Sequence, residues 1–158
     1  MKNKEKLNVF INLLKDKIGF SFNIEDFDDR LKLQKYVFIS KYFGFNHSYV
    51  YNLYIRGPYS SDLANDYYDI SPNEFTSNIS LKIDMDSFSS LIKDKDIKWL
   101  ESAATMLSLY SSYKNNYNNY NKIDSNRLIK ETNTIKHRID FDIIKTVYSD
   151  LNDYNLFN

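Results

Sequence analysis

A mainly α-helical domain with one small two-stranded β element is the fold class that this sequence predicts, with residues 1–158 read as one unit. Three observations predict it. Apolar residues recur at helical spacing through most of the 158-residue chain. The period changes to two only near Tyr49–Arg56 and near Ile79–Ile83. Two of the three glycines fall where a helical pattern stops. A hydrophobic content of 42%, with 16% aromatic residues, adds that the chain is globular and long enough to bury a core.

Taken in order, Leu7, Phe10, Ile11, Leu14 and Ile18 form the apolar face of a first helix, which Gly19 ends. A second helix starts after Asp26 or Asp28. Leu31, Tyr36, Val37, Ile39, Tyr42 and Phe43 give it a broad apolar surface that Gly44 closes. Leu31 faces the core with its i+4 and i+7 neighbours, while Arg30, Gln34 and Val37 share another face. Tyr49, Tyr51, Leu53 and Ile55 then fall on one side of a strand. Gly57-Pro58 turns the chain, and Ser60 or Ser61 caps a helix that runs to about Ile70, with Asp62 in its first turn.

Ser71-Pro72-Asn73-Glu74 has the capping-box pattern of a short helical turn. Ile79, Leu81 and Ile83 read as a second strand that would pair with the first into a ribbon or wing. Asp86 caps a short helix through Phe88, Leu91 and Ile92. Asp96 starts the longest helix, striped by Trp99, Leu100, Ala103, Met106, Leu107 and Tyr110. Asn115–Asn121 reads as a loop or frayed helix end. Ser125 caps a helix with Leu128 and Ile129, and a last helix holds Phe141, Ile144, Val147, Tyr148 and Leu151.

The chain carries 21 Lys+Arg and 21 Asp+Glu, so no net charge steers it towards nucleic acid or anionic lipid. The distribution is uneven: residues 1–18 sum to +3 (five Lys, one Glu, one Asp) and residues 58–96 to −5 (three Lys, seven Asp, one Glu). Without cysteine there is no disulfide, thiolate catalysis or Cys-based zinc site. The two histidines, His47 and His137, are far apart and read as surface residues. Neither a nucleotide-binding glycine loop nor a serine nucleophile elbow is present. Asp84/Asp86 and Asp94/Asp96 read as helix caps. No apolar run approaches the ~18 residues of a membrane span, and no signal-peptide pattern opens the chain. A cytoplasmic protein without cofactor, metal or catalytic residues is the expectation.

Three constellations carry functional readings. Arg30, Gln34, Arg56, Gly57, Pro58, Tyr59, Ser60 and Asp62, on the second helix and the turn, are assigned as a surface for a protein partner. Arg127, Lys130, Lys136 and Arg138 form the basic patch of an alternative, DNA-binding reading. Tyr110, Tyr113, Tyr117 and Tyr120 follow 3, 4, 3 spacing and suggest a self-association stripe, hence a homodimer. Scattered carboxylates leave a metal-assisted hydrolase as a distant third reading.

Lys32-Leu33-Gln34-Lys35-Tyr36-Val37-Phe38, followed by Tyr54-Ile55-Arg56-Gly57-Pro58-Tyr59-Ser60-Ser61-Asp62-Leu63, resembles the YwgA-like proteins and the wider Panacea antitoxin-like superfamily. Trp99–Thr105 and the Ile135–Leu151 tail are similar in style, which extends the resemblance over residues 4 to 152. Tyr59-Ser60-Ser61-Asp62 replaces the apolar continuation of the Panacea pattern and favours the YwgA-like side. The resemblance implies a winged-helix-like domain with a small β element, and a regulatory or antitoxin-like module that binds a protein partner.

Overall fold

The computed structural model describes residues 2–70, 80–116 and 124–157. Along them run α1 (Asn3–Ile18), α2 (Phe27–Ser40) and a 3-10 turn (Lys41–Phe43). The two strands β1 (Asn52–Tyr54) and β2 (Gly57–Tyr59) follow. Then come α3 (Ser61–Asp69), α4 (Met85–Ile92), α5 (Ile97–Asn116), α6 (Ser125–Ile135) and α7 (Phe141–Asp153). The described residues are mainly helical, with one antiparallel two-stranded sheet.

Local chemistry sets the boundaries of these helices. In α1, Leu7, Phe10 and Leu14 are fully buried. Gly19 ends the helix at φ 71, and the Phe20 N–H bonds back to Leu14 O, a Schellman-type closure. Asp26 caps α2 by accepting from the N–H groups of Asp28 and Asp29. Ser60 caps α3 through Leu63 N–H. Asp96 accepts from Trp99 N–H at the start of α5. Two caps differ from expectation by one or two residues: Asp84, not Asp86, caps α4, and Asp124, not Ser125, caps α6. In both cases the carboxylate just outside the helix reaches the free N–H groups, while the expected residue is already helical.

At the centre is α5. Every residue from Trp99 to Leu107 is buried, polar Glu101, Ser102 and Thr105 included. A helix buried all round needs partners on every side, and α2, α6, α7 and β2 supply them. Ala103 and Ala104 allow close approach, and the Ser102 hydroxyl donates to Lys98 O within the helix. On the other side, α1 packs against α3 and α4, joined by the rings of Phe10, Phe45 and Phe88. Phe157 closes the C-terminal end by stacking on Tyr148 and meeting Tyr110 edge-on.

The β element departs from the expected pairing. Asn52 pairs with Tyr59, Leu53 with Pro58 and Tyr54 with Gly57, so the second strand is the Gly-Pro-Tyr segment and not Ile79–Ile83. Proline and glycine ordinarily argue against a strand, and three residues give too little pattern to read. Residues 80–83 form no strand. Ile83 N–H bonds Leu81 O instead, and the next amide, Asp84 N–H, bonds Phe43 O. The expected turn at Ser71–Glu74, and Ile79 itself, lie outside the described residues. No helix among the described residues is long and apolar enough to cross a membrane.

Candidate functional site

Of the expected strand of residues 49–56, only Asn52–Tyr54 is a strand. Tyr49 is buried and Tyr51 half-buried against Phe38 and His47. Beyond Asn52 the chain leaves the body, so Leu53 and Ile55, read on the same side of the strand as Tyr49 and Tyr51, are exposed where those two are covered. Ile55 is 93% exposed. Among the described non-glycine residues only Asp94 and Asn155 have positive φ, so Ile55 and Arg56 keep negative φ and Gly57 at φ 95 takes the left-handed position. Ile55 and Arg56 thus form a two-residue turn between the paired residues Tyr54 and Gly57. A Cβ on Gly57 would lie 3.1 Å from Thr105 Oγ1 and 3.3 Å from Lys35 Nζ. Backbone freedom and close approach both require glycine there.

Three side chains fasten the hairpin from beneath by its backbone. Gln34 Nε2 donates to Ser60 O at 2.9 Å, and Ser60 N–H donates back to Gln34 Oε1 at 2.9 Å. Lys35 Nζ donates to Pro58 O at 2.9 Å. Lys136, just past the end of α6, donates to Ile55 O at 2.9 Å and lies 3.3 Å from Glu101 Oε2. Arg56 Nη1 lies 3.4 Å from Glu101 Oε1. One nearly buried carboxylate thus faces cations from α2, the turn and the end of α6.

Burial dominates the protonation of this cluster. It pulls the Lys35 amine down to about 7; the opposing pull of Glu101 is outweighed by burial together with the nearby Lys136 and Arg56 charges. Lys136 is also lowered, first by burial and only partly restored by Glu101. The Thr105 hydroxyl beside Gly57 is buried and has no hydrogen-bond partner.

The structure sorts the expected surface residues into two kinds. Gln34, Gly57, Pro58 and Ser60 are buried and hold the hairpin from inside. Arg30 is half-buried, with its guanidinium donating to Ile24 O and lying over the Phe27 ring. Arg56, Asp62 and part of Tyr59 remain accessible. A pocket of about 250 Å3 brings Arg30, Gln34 and Tyr59 together with Phe27, Tyr67 and Tyr68. Tyr54 meets Tyr59 edge-on and Arg56 lies over the Phe27 ring, and the sequence did not single out the exposed Phe27, Leu53, Tyr54, Ile55 and Tyr68.

The basic patch is not assembled as read. Lys136 is buried under the hairpin, because its ammonium is needed by Ile55 O and Glu101. Arg127 pairs with Glu131 within α6 and lies over the Tyr113 ring. Lys130 and Arg138 are exposed. Of the tyrosine stripe, Tyr110 packs on Phe157 and Tyr113 lies under Arg127, while Tyr117 and Tyr120 lie outside the described residues.

His47, expected at the surface, is buried: Nε2 meets Val37 O at 3.2 Å and Nδ1 accepts from Tyr49 N–H at 3.3 Å. Its pKa falls to about 4, chiefly through burial. No group of three or more His, Asp or Glu among the described residues could hold a metal ion. A larger cleft of about 610 Å3 lies between α2 and α5. Its Tyr42 hydroxyl is already bonded to Ser111, and its Tyr49 hydroxyl to Asp66. Compared with protein-family models, with curated proteins and with solved structures, the chain has no significant match in any of the three.

Proposed function

We propose that this protein is a non-catalytic interaction module that binds a protein partner through the face made by the hairpin, the start of α2 and α3. One observation carries the reading. The backbone of the turn is fixed by three buried side chains, yet the turn directs its apolar side chains outward, with Ile55 93% exposed. A fold that fixes a loop while leaving its hydrophobic tip uncovered has already met much of the ordering cost of binding. Phe, Tyr and Arg around that tip are the residue types enriched at interface centres. The turn Tyr54–Leu63, one of the segments that resemble the YwgA-like proteins, forms part of this face. The proposal accordingly includes a winged-helix-like arrangement with the hairpin as wing, a cytoplasmic location and a regulatory, antitoxin-like role.

The test is recovery of the tagged protein from its host, with and without nuclease, for wild type and for Ile55→Asp with Arg56→Ala. Both side chains are largely exposed, so the variant should keep its circular dichroism spectrum. Loss of a stoichiometric, nuclease-resistant partner from the variant alone is the expected result. A partner retained by the variant would overturn the assignment of this face. Recovery of nuclease-sensitive DNA without any stable protein would replace the reading with the DNA-binding one.

A further inference from the structure

The two edges of the hairpin are not alike. In an antiparallel pair, alternate residues turn their N–H and C=O groups towards the neighbouring strand and away from it. Leu53 stands opposite Pro58, between the pairs Asn52–Tyr59 and Tyr54–Gly57. Pro58 has no N–H, and its carbonyl accepts from Lys35 Nζ at 2.9 Å, on the side away from β1. Ser60, just beyond, exchanges both of its main-chain bonds with Gln34. The outer edge of β2 is therefore closed. By the same alternation, the Leu53 N–H and C=O point outward from β1. Among the described residues no other main-chain bond reaches Leu53, or Tyr51 two residues before it.

Little on that open edge keeps another strand away. Natural sheets blunt an edge with lysine, proline or a bulge. From Ser48 to Ile55 the chain has no charged residue, proline or glycine. Val50, Leu53, Tyr54 and Ile55 are all exposed there. An outward N–H and C=O on one residue are matched by the same two groups of an extended backbone. The edge of β1 is itself such a backbone, uncharged and carrying the same outward pair.

Resting on the reading above that the hairpin is an interaction element, we propose that β1 pairs with β1 of a second copy of this chain, antiparallel about a two-fold axis at Leu53. Leu53 of each copy donates to and accepts from Leu53 of the other. Ile55 then lies across from Tyr51 of the second copy, a β-branched residue on an aromatic one, and Asn52 lies across from Tyr54. Arg56, the one charge in residues 52–59, stands opposite Val50 and not opposite its own counterpart, so no like charges meet. The contact is isologous and closes at two copies, because the β2 edges of the four-stranded sheet are already spent. Three residues per strand make a small contact, so the dimer dissociates on dilution.

Sedimentation velocity of the full chain over a wide concentration range tests this, together with amide exchange at Leu53. A monomer should become a dimer as concentration rises, with the Leu53 N–H exchanging more slowly in the dimer. Leu53→Pro removes the outward N–H and breaks no bond inside the hairpin. It should weaken the dimer by about tenfold or more and leave the circular dichroism spectrum unchanged. Leu53→Lys sets two like charges on the axis and should have the same effect, which decides the matter if the proline variant fails to fold. Mixing Leu53→Lys with Leu53→Glu should restore the dimer. A chain that is monomeric at every concentration, or a dimer indifferent to Leu53→Lys, would overturn the proposal. If the chain is monomeric while a host partner is lost with Ile55→Asp and Arg56→Ala, the interaction reading stands and the second copy is wrong. If a host partner ignores that variant too, both fall.

Discussion

Gly57 shows how one residue position is constrained twice. Its φ of 95 disfavours any side chain, and the space where a Cβ would go is bounded by Thr105, Lys35 and the Glu101 carbonyl. Gly57→Ala should therefore destabilise the protein by about 1–3 kcal/mol, read as a lower urea midpoint. A small change would mean that Thr105 and Lys35 yield to the new methyl. The requirement for glycine is legible in the sequence, since Gly19 and Gly44 are accounted for as helix ends and Gly57 is not. Lys35 was legible only in part. It stands four residues after Leu31, on the core-facing side. A lysine there reads as an exception until the carbonyl of Pro58 is seen to need a donor.

At the scale of the element, the hairpin is too short to hold itself; a two-stranded ribbon is marginal alone. Its stability comes from α2 and the end of α6, through Gln34, Lys35 and Lys136, and from Glu101 on α5, which sets the charge balance. Glu101→Gln keeps the shape but leaves Lys136 buried without its counter-charge. Removing one partner of a buried pair costs about 3–5 kcal/mol. The loss should appear as a reduced denaturation midpoint, with faster amide exchange in residues 52–59 than in α1. Uniform exchange across the molecule would show that the cluster supports the whole core and not the hairpin. The helices were legible because their apolar periodicity and caps are local. The pairing of β1 with Gly57–Tyr59 was not, because a strand that contains Gly and Pro is specified by the side chains beneath it.

For the molecule as a whole, buried titratable groups set a pH profile whose sign can be worked out. His47 titrates at about 4 when folded and near its ordinary 6.5 when unfolded. The unfolded chain binds the extra proton in that window, so stability is lost as pH falls through it. Lys35 titrates at about 7 when folded against 10.5 when unfolded, and Lys136 is shifted the same way. Stability therefore rises with pH above about 7. Burial pushes Tyr36 up to about 12 and raises Tyr49, Tyr51 and Tyr67 as well. The unfolded chain loses its phenol protons first, so stability turns down above about 10. Urea midpoints measured across pH should trace this rise and fall, and Lys35→Met should flatten the rise above 7. An unchanged slope in that variant would show that Lys35 is charged in its buried position.

The sequence by itself determined the helical class, the glycine stops, the caps of α2, α3 and α5, the broad core face of α2 and the singular place of Gly57. All of these follow from interactions within a few residues or from the period of burial. Only the tertiary structure decided that Gln34 and Lys136 face inward, that His47 is buried and that Glu101 is the common counter-charge. It also decided that Phe27, Tyr54, Ile55 and Tyr68 are exposed. The physical reason is distance along the chain. Lys136 meets Ile55 across 81 residues and Gln34 meets Ser60 across 26. No local pattern encodes which donor will find which carbonyl once the helices have packed around α5.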